Sequence, residues 1–301
     1  MVFNPATDIS DLAGKIIFIT GGTAGLGKES ILALAKKNSA HIYFTGRDED
    51  RAAALITEVQ AAAPSAQLTF LKCNMSSLAS VSEAAKQLVS ETQRLDILVL
   101  NAGVFAPEPG LTLDGYELVF GTNHLAHALF VKLLLPTLLQ TVDARIVTIA
   151  SRGHMRAGGI PFGQMRDPQS GFPARKLRYP QSKLANVLYT AELARRYPGL
   201  TAVSLHPGVV GTDMLLNAPW FERTVINVMQ MWNREPIVTP EEGAYNQLWA
   251  ATVDKSEVVN GGYYVPVGVV GPRTKQSSDA KLAEELWNWT EKELVGYPAS
   301  A

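Results

Sequence analysis

Tyr179 and Lys183 are the two side chains whose types and spacing most directly suggest acid–base chemistry. They are four residues apart, so on a helix they lie on the same face. A nearby ammonium group favours the phenolate, and lowering the pKa of a tyrosine by about three units corresponds to about 4 kcal/mol. Of the nine tyrosines in the chain, only Tyr179 has a lysine four residues further on. The pair is therefore a candidate for proton transfer near neutral pH.

Ser151 is a further candidate because it directly follows an apolar run, Arg145–Ala150, that is typical of a buried strand. Its hydroxyl would then lie at the carboxyl edge of a parallel sheet, where ligands bind in open α/β folds. The alternative is that Ser151 only caps the next turn.

A glycine-rich segment predicts a binding site for a dinucleotide. The run Thr20-Gly21-Gly22-Thr23-Ala24-Gly25-Leu26-Gly27 follows an apolar strand and leads into a helix pattern. Gly21 permits a tight turn, Gly25 lets a pyrophosphate approach the backbone, and Gly27 allows the helix to pack closely on the strand. The start of the helix supplies N–H donors and the positive end of its dipole.

The end of the second strand indicates which dinucleotide binds. It reads Thr45-Gly46-Arg47-Asp48. An NAD site normally has an acid at this point to hold the ribose 2′-OH, whereas an arginine suits a 2′-phosphate. Arg47 therefore favours NADP(H) over NAD(H), and Arg51 is placed to assist. The alternatives are a solvated Arg47 and an Asp48 that replaces the missing acid.

The elements that must position these residues alternate between short apolar runs and longer stretches with helical period, as βαβ units do. We therefore predict an α/β fold: one doubly wound, seven-stranded parallel sheet of the Rossmann type in three layers, α/β/α. The predicted strands are Lys15–Thr20, His41–Thr45, Gln67–Lys72, Leu95–Asn101, Arg145–Ala150, Thr201–His206 and Gly262–Pro266. The predicted helices are Gly25–Lys37, Asp48–Ala62, Ser77–Thr92, Leu113–Leu139, Pro180–Tyr197, Pro240–Thr252 and Ser278–Leu294.

Two long insertions follow strand ends, and we expect both to serve the substrate. We predict a single domain, residues 1–301, with substrate loops at 152–178 and 211–240. The second loop is an apolar, helical stretch that includes Trp220, Met229 and Trp232. It predicts a lid over a bulky apolar ligand, and ordinary core packing is the alternative.

Taken together, these motifs resemble the short-chain dehydrogenase/reductase family, in its branch of retinol dehydrogenases and fungal carbonyl reductases. The similarity extends from about Lys15 to Leu294. The motifs that carry it are Thr20-Gly21-xxx-Gly25-x-Gly27, Asn101-Ala102-Gly103, Gly121-Thr122-Asn123-His124-Leu125, Ser151, Tyr179-Pro-Gln-Ser-Lys183-Leu-Ala-Asn186 and His206-Pro207-Gly208-Val-Val-Gly-Thr212.

The resemblance implies a role for each matched residue. Tyr179 would exchange a proton with the substrate oxygen, and Lys183 would tune Tyr179 and hold the nicotinamide ribose. Ser151 would hydrogen-bond the substrate carbonyl, and Asn123 would anchor a water in a proton relay. The residues expected around the cofactor are Gly21, Thr23, Gly25, Leu26, Gly27, Arg47, Asn74, Met75, Asn101, Ala102, Gly103, Tyr179, Lys183, Pro207, Gly208, Val209 and Thr212.

Two features depart from the family pattern. Asn74 stands where an acid commonly binds adenine, so the amide and backbone groups would take that role. Ser151 and Tyr179 are 28 residues apart (179 − 151), which is longer than the common spacing because the glycine- and proline-rich loop intervenes. A similar insertion occurs in the retinol-dehydrogenase-like branch.

Composition limits the classes of partner. The 27 basic and 28 acidic residues nearly cancel, so we expect no nucleic acid partner. One cysteine makes a multi-cysteine metal site implausible, and we predict no metal. Residues 1–12 have no signal or anchor pattern, and Leu125–Leu139 is shorter than a membrane span. We therefore expect a cytoplasmic protein with no membrane partner. A homodimer through the two long helices is compatible with the family, but their apolar faces could instead pack on the sheet.

The sequence thus predicts an NADPH-dependent oxidoreductase that reduces an apolar ketone or aldehyde to an alcohol, reversibly, with a tyrosine as acid or base. The alternative is a non-catalytic dinucleotide sensor or scaffold that keeps the fold. A nucleotide-sugar epimerase or dehydratase is disfavoured, because such enzymes space the last two glycines more widely.

Overall fold

The computed structural model describes residues 3–105, 107–168, 171, 174–211 and 236–298. Its strands are β1 (Ile16–Ile19), β2 (His41–Gly46), β3 (Leu68–Lys72), β4 (Ile97–Leu100), β5 (Arg145–Ile149), β6 (Thr201–Leu205), β7 (Val209–Val210), β8 (Ile237–Val238), β9 (Tyr263–Val265) and β10 (Val269–Val270). Its α-helices are α1 (Pro5–Asp8), α2 (Gly25–Ala35), α3 (Glu49–Ala62), α4 (Leu78–Glu91), α5 (Leu118–Phe120), α6 (Ala126–Gln140), α7 (Ala174–Arg196), α8 (Pro240–Thr252) and α9 (Ala280–Glu293).

The main sheet has the order β10-β9-β6-β5-β4-β1-β2-β3 in the described part of the chain. All seven predicted strands are present and parallel, which confirms the doubly wound α/β fold. The short β10 adds an eighth, antiparallel strand at one edge, which the sequence analysis did not predict. The chain reverses its winding direction between β1 and β4. This is the switch point at which open α/β sheets bind their ligands.

Alternating side chains of the strands build a core on each face of the sheet. In β1, Phe18 packs with α4, α6 and α7, whereas Ile17 and Ile19 pack with α2, α3 and α8 on the other face. This is the period of two expected for a strand. The sheet is therefore covered on both sides, as the predicted three layers require.

Three helices begin within one residue of their predicted starts, and a side chain caps each of them. Asp48 accepts the main-chain N–H of Arg51 at the start of α3, and Ser77 accepts that of Ser80 at the start of α4. Thr239 forms a capping box with Glu242 at the start of α8. Each cap satisfies backbone donors that have no partner within the helix.

Two helix boundaries were predicted wrongly. The helix expected from Leu113 begins at Leu118, because Gly115 adopts a φ of +80° and Glu117, rather than a typical capping residue, receives the first N–H groups. The helix expected from Pro180 begins at Ala174 and includes that proline. Loop 152–178 is therefore shorter than predicted; within its described part it forms short 3-10 turns at Arg152–Arg156 and Phe162–Gln164.

The stretch Leu118–Gln140 combines α5, a π-helical turn at Gly121–Leu125 and α6. It is long and apolar enough to cross a membrane, but 83% of its most apolar window is buried inside the protein. It therefore packs here as a central helix of the core.

Candidate active site

The glycine-rich turn lies between the carboxyl ends of β1 and β4. Gly21 and Gly25 adopt φ values of +68° and +51°, a left-handed conformation that favours glycine. A Cβ atom on Gly27 would lie 2.3 Å from the carbonyl oxygen of Gly21. Asn101, which follows β4, donates from Nδ2 to the carbonyl oxygens of Thr20 and Gly21 at 2.8 and 3.1 Å. The turn is therefore held in one conformation by its glycines and by Asn101.

The start of α2 is suited to an anionic group. Its N-cap is Ala24, which makes no side-chain cap, whereas α3, α4 and α8 are all capped by side chains. The first-turn N–H groups thus lack a side-chain acceptor, and the helix dipole favours negative charge there. This geometry fits the pyrophosphate of a dinucleotide, with Gly25, Leu26 and Gly27 supplying the N–H groups.

The residues expected around the adenosine surround the end of β2. Arg47 is exposed directly after Gly46. A Cβ atom on Gly46 would lie 2.5 Å from Cγ2 of Thr23, so the Thr23 side chain occupies the space that a side chain at position 46 would need. Asn74 Oδ1 accepts the N–H and the hydroxyl of Ser76 at 3.1 and 2.9 Å, and Met75 is buried.

The remaining predicted cofactor residues follow β4 and β6. Ala102 donates its N–H to the Thr20 hydroxyl at 3.0 Å, and a Cβ atom on Gly103 would lie 3.2 Å from Asn123 Oδ1. Gly208 has a φ of +97°. Pro207 precedes it, and Val209 begins β7. Thr212 lies outside the described residues, as does most of the predicted lid 211–240, including Trp220, Met229 and Trp232; its end forms β8 and leads into α8.

Asn123 is fully buried within the π-helical turn. Its Oδ1 accepts the N–H of Val104 at 2.8 Å, and its Nδ2 donates to the Val104 carbonyl at 3.0 Å and to the Ser182 hydroxyl at 3.1 Å. The Ser182 hydroxyl in turn donates to the carbonyl of Tyr179 at 2.8 Å. Asn123 is thereby linked to the helix that carries Tyr179 and Lys183.

Lys183 projects from α7 into the interior of the site. Its ammonium donates to the carbonyl oxygen of Ile149 at 2.8 Å and lies 5.6 Å from the centre of the Tyr179 ring. Burial lowers the pKa of Lys183 from 10.5 to about 8. Keeping this side chain charged therefore costs stability, which is common where a group serves chemistry.

The Tyr179 ring lies near the Ser151 side chain, whose hydroxyl lowers the pKa of the phenol. The Ser151 Oγ also accepts the N–H of Gly153 at 3.0 Å, so the serine caps its turn and contacts the tyrosine at the same time. A Cβ atom on Gly153 would lie 3.3 Å from Ser151 Oγ and 3.4 Å from Tyr179 Cε1. The structure therefore brings all four predicted catalytic residues together, despite the long spacing between Ser151 and Tyr179.

The pKa of the Tyr179 phenol differs from the sequence expectation. Burial raises it above its ordinary value, and the hydrogen bond with Ser151 acts in the opposite direction. The Lys183 ammonium lies 5.6 Å from the ring centre and is directed to the Ile149 carbonyl, so burial outweighs its attraction for the phenolate. The arrangement favours the protonated phenol, which is the form that can donate a proton.

Sequence reasoning missed two neighbours of the site. The Phe105 ring packs edge-on against the Tyr179 ring, with centroids 4.8 Å apart. Nε2 of the buried His127 lies 3.0 Å from the Thr20 hydroxyl, and its Nδ1 lies 3.1 Å from the carbonyl oxygen of Asn123. A carbonyl can only accept, so Nδ1 is the donor and Nε2 accepts the Thr20 hydroxyl. Their sequence signals, one aromatic after a strand and one histidine on an apolar helix, are common in cores.

Comparisons with known proteins agree with this arrangement. Residues 15–165 match the family model of the short chain dehydrogenases. The chain is 36% identical to an uncharacterized oxidoreductase of Schizosaccharomyces pombe, over 95% of this chain and 86% of that protein. It is 32% identical to retinol dehydrogenase 11 of Homo sapiens, over 97% and 89% of the two chains. A crystal structure of a blue fluorescent protein from a metagenomic library, in complex with NADPH, is 28% identical, with a TM-score of 0.66 over 86% of this chain and 98% of that one.

Proposed function

The chain belongs to the short-chain dehydrogenase/reductase family, in its retinol-dehydrogenase-like branch, and we propose that it reduces an apolar ketone or aldehyde with NADPH, reversibly. The observation that carries this proposal is the convergence of the Ser151 and Tyr179 side chains on Gly153, beside the Lys183 ammonium. These groups lie at the carboxyl edge of the sheet, next to the glycine-rich turn, which is where a family member would hold its reacting atoms.

Each side chain has a part in the proposed reaction. In the reductive direction, the Tyr179 phenol donates its proton to the carbonyl oxygen of the substrate, and Ser151 orients that oxygen by a hydrogen bond. The Lys183 ammonium stabilises the phenolate that remains, and Asn123 fixes the main chain beside it. When bound, the nicotinamide cofactor supplies the hydride in reduction and accepts it in oxidation.

The preference for NADPH is supported by the end of β2. The carboxylate that would hold a ribose 2′-OH is missing at Gly46, where Thr23 fills the space, and Arg47 is exposed beside it. A guanidinium binds a phosphate well because its planar donors match the phosphate oxygens. One relative in structure also binds NADPH.

An apolar substrate is supported by Phe105, whose partly exposed ring lies against the catalytic phenol. A retinol dehydrogenase among the relatives points in the same direction. We propose the cytoplasm as the compartment, since the one cysteine, Cys73, is free and buried.

A substrate panel tests this function. Purified protein is mixed with NADPH or NADH and with a series of aldehydes and ketones of increasing apolar size, and the absorbance of the reduced nucleotide is followed. We expect turnover of the bulky apolar members, with a higher kcat/KM for NADPH. The variant Arg47→Leu should lose most of the preference for NADPH, with Lys15→Leu as a control far from the nucleotide. Stoichiometric binding of NADPH with no turnover across the panel would instead favour a non-catalytic sensor.

A further inference from the structure

We infer that Arg178 and Glu117 form a positioning pair that aligns Tyr179 and Asn123 for the reaction, an inference that rests on the proposed function. The two side chains form an ion pair at 3.0 Å, and each is only 1% exposed. Such burial is unusual for charged side chains and is costly unless their charges and hydrogen bonds are satisfied. Arg178 immediately precedes the catalytic tyrosine.

Glu117 fixes the start of the helical stretch that carries Asn123. Its Oε2 accepts the N–H of Phe120 at 2.7 Å, and its Oε1 accepts the N–H of Val119 at 3.1 Å. The same Oε1 accepts from Nη1 of Arg178. The carboxylate is therefore both the cap of α5 and the partner of the guanidinium, so any movement of Arg178 is passed to the helix six residues before Asn123.

The pair also holds the loop that follows Ser151. Nη1 of Arg178 donates to the carbonyl oxygen of Pro168 at 3.2 Å, and the main-chain N–H of Glu117 donates to the carbonyl oxygen of Met165 at 2.7 Å. Three elements of the site thus meet at one buried ion pair: the first turns of α7, the start of α5 and the loop 152–168.

A second, neutral link joins the same two helices deeper in the site. Ser182 connects Asn123 with the carbonyl of Tyr179 through its hydroxyl. With two separate links, the relative rotation of α5 and α7 is fixed, and with it the distance between Asn123 and the phenol. Because misplacement of reacting groups by about 1 Å can cost about a hundredfold in rate, a pair that fixes this relation should affect kcat.

The inference is distinguished from a role in stability by removing both charges. Arg178→Met alone leaves the Glu117 carboxylate buried without its cation and should lower the melting temperature. The double variant Arg178→Met with Glu117→Gln has no buried charge and keeps an oxygen for the cap of α5. We expect it to regain the melting temperature of the wild type, yet to show a kcat lower by about tenfold or more, with a Kd for NADPH within about twofold of the wild type. A double variant with full kcat would overturn the inference.

Arg178→Lys is a second test variant, which keeps the inference testable if the double variant folds poorly. It keeps the charge, but a single flexible ammonium does not hold Glu117 and the Pro168 carbonyl in one fixed geometry. We expect a folded protein whose kcat is lower by about threefold or more at an unchanged KM for NADPH. An unreduced kcat would contradict the inference.

Hydrogen exchange separates a failure of this inference from a failure of the proposed function. The amides of residues 117–125 and 162–168 should exchange faster in the double variant than in the wild type, at matched global stability and without any substrate. Unchanged protection would overturn the positioning role, whether or not the wild type reduces any member of the panel. Faster exchange with an inactive wild type would refute the proposed reaction and leave the coupling of the helices and loop supported.

Discussion

Replacing Lys183 with methionine should stabilise the protein at neutral pH while removing most of its activity. The Lys183 ammonium is buried, and its pKa is lowered from 10.5 to about 8. By linkage, a group that holds its proton less tightly in the folded state than in the unfolded state destabilises the fold wherever the unfolded chain is protonated. Methionine has a similar length and carries no charge, so this cost is removed.

The magnitude and its sign follow from the two pKa values. Between about pH 8 and 10.5 the unfolded chain holds a proton at Lys183 that the folded chain has released, so the stability of the wild type rises with pH in this window. The difference in pKa, 10.5 − 8 or about 2.5, corresponds to about 3 kcal/mol, which is present in full below pH 8. The variant also loses the hydrogen bond to Ile149, worth about 1 kcal/mol. A net gain of about 2 kcal/mol is therefore expected at pH 6–7.

The hydrogen bond that remains limits the cost of the substitution. The Ile149 carbonyl also accepts from Nδ2 of Asn186 at 3.3 Å, so it keeps a partner in the variant.

The rate of the variant should nevertheless fall, because a unit charge 5.6 Å from the centre of the phenol ring contributes about 3 kcal/mol to stabilising the phenolate at an effective dielectric constant near 20. This corresponds to a loss of about a hundredfold in kcat.

Urea unfolding of the wild type and of Lys183→Met from pH 6 to 10.5, with kcat measured at pH 7, tests this reasoning. Lys132→Met is the matched control, because its ammonium pairs with Glu291 at 2.8 Å and its loss should give no gain in stability. The reasoning is refuted if Lys183→Met is less stable than the wild type at pH 7. It is equally refuted if the difference between the two does not change between pH 8 and 10.5.

Three other substitutions test separate parts of the site. Gly27→Ala should lower the free energy of unfolding by about 2 kcal/mol or more and weaken NADPH binding in fluorescence titrations, since its Cβ would lie 2.3 Å from the Gly21 carbonyl; normal binding would count against the close packing of this turn. His127→Leu should lower the free energy of unfolding, measured in urea at pH 7, by about 2–4 kcal/mol, because the Thr20 hydroxyl and the Asn123 carbonyl both lose a buried partner. A decrease below about 0.5 kcal/mol would show that these hydrogen bonds contribute little to stability. Phe105→Ala should raise the KM of bulky apolar carbonyls by about tenfold and leave that of small polar ones unchanged, with Phe105→Leu in between; equal effects on both classes would contradict its place in the substrate site.

Much of the fold could be predicted because its signals are local. The strands are short apolar runs between turn residues, and each was predicted to within about two residues of its observed ends. Asp48, Ser77 and Thr239 are typical capping residues and mark their helices correctly. The order of the glycine-rich turn, Asn101 and Ser151 along the chain also determines that they meet at one edge of a parallel sheet.

The errors arise where tertiary contacts override a local rule. Proline usually ends or begins a helix, yet Pro180 lies inside α7, whose early turns are held by the buried Arg178. The start of α5 depends on Glu117, whose capping role is stabilised by Arg178, a residue 61 positions away. The π-helical turn around Asn123 has no signal in the sequence.

The electrostatics of the site were the least predictable part. Residue spacing places Lys183 beside Tyr179, but it does not show that the ammonium is directed to the Ile149 carbonyl or that burial raises the pKa of the phenol. The pKa of the phenol depends on how deeply Tyr179 is buried, and the direction of the ammonium depends on a main-chain carbonyl of β5. They become visible only when β5 and α7 are packed together.

The central claim is that the Tyr179 phenol exchanges the proton with the substrate oxygen, and Tyr179→Phe tests it most directly. The oxidation of NADPH with an apolar aldehyde or ketone is followed for the variant and the wild type, and the Kd for NADPH is measured for both. The account predicts that kcat falls by about a thousandfold or more while the Kd stays within about threefold. A variant that binds NADPH normally and keeps the kcat of the wild type would contradict it.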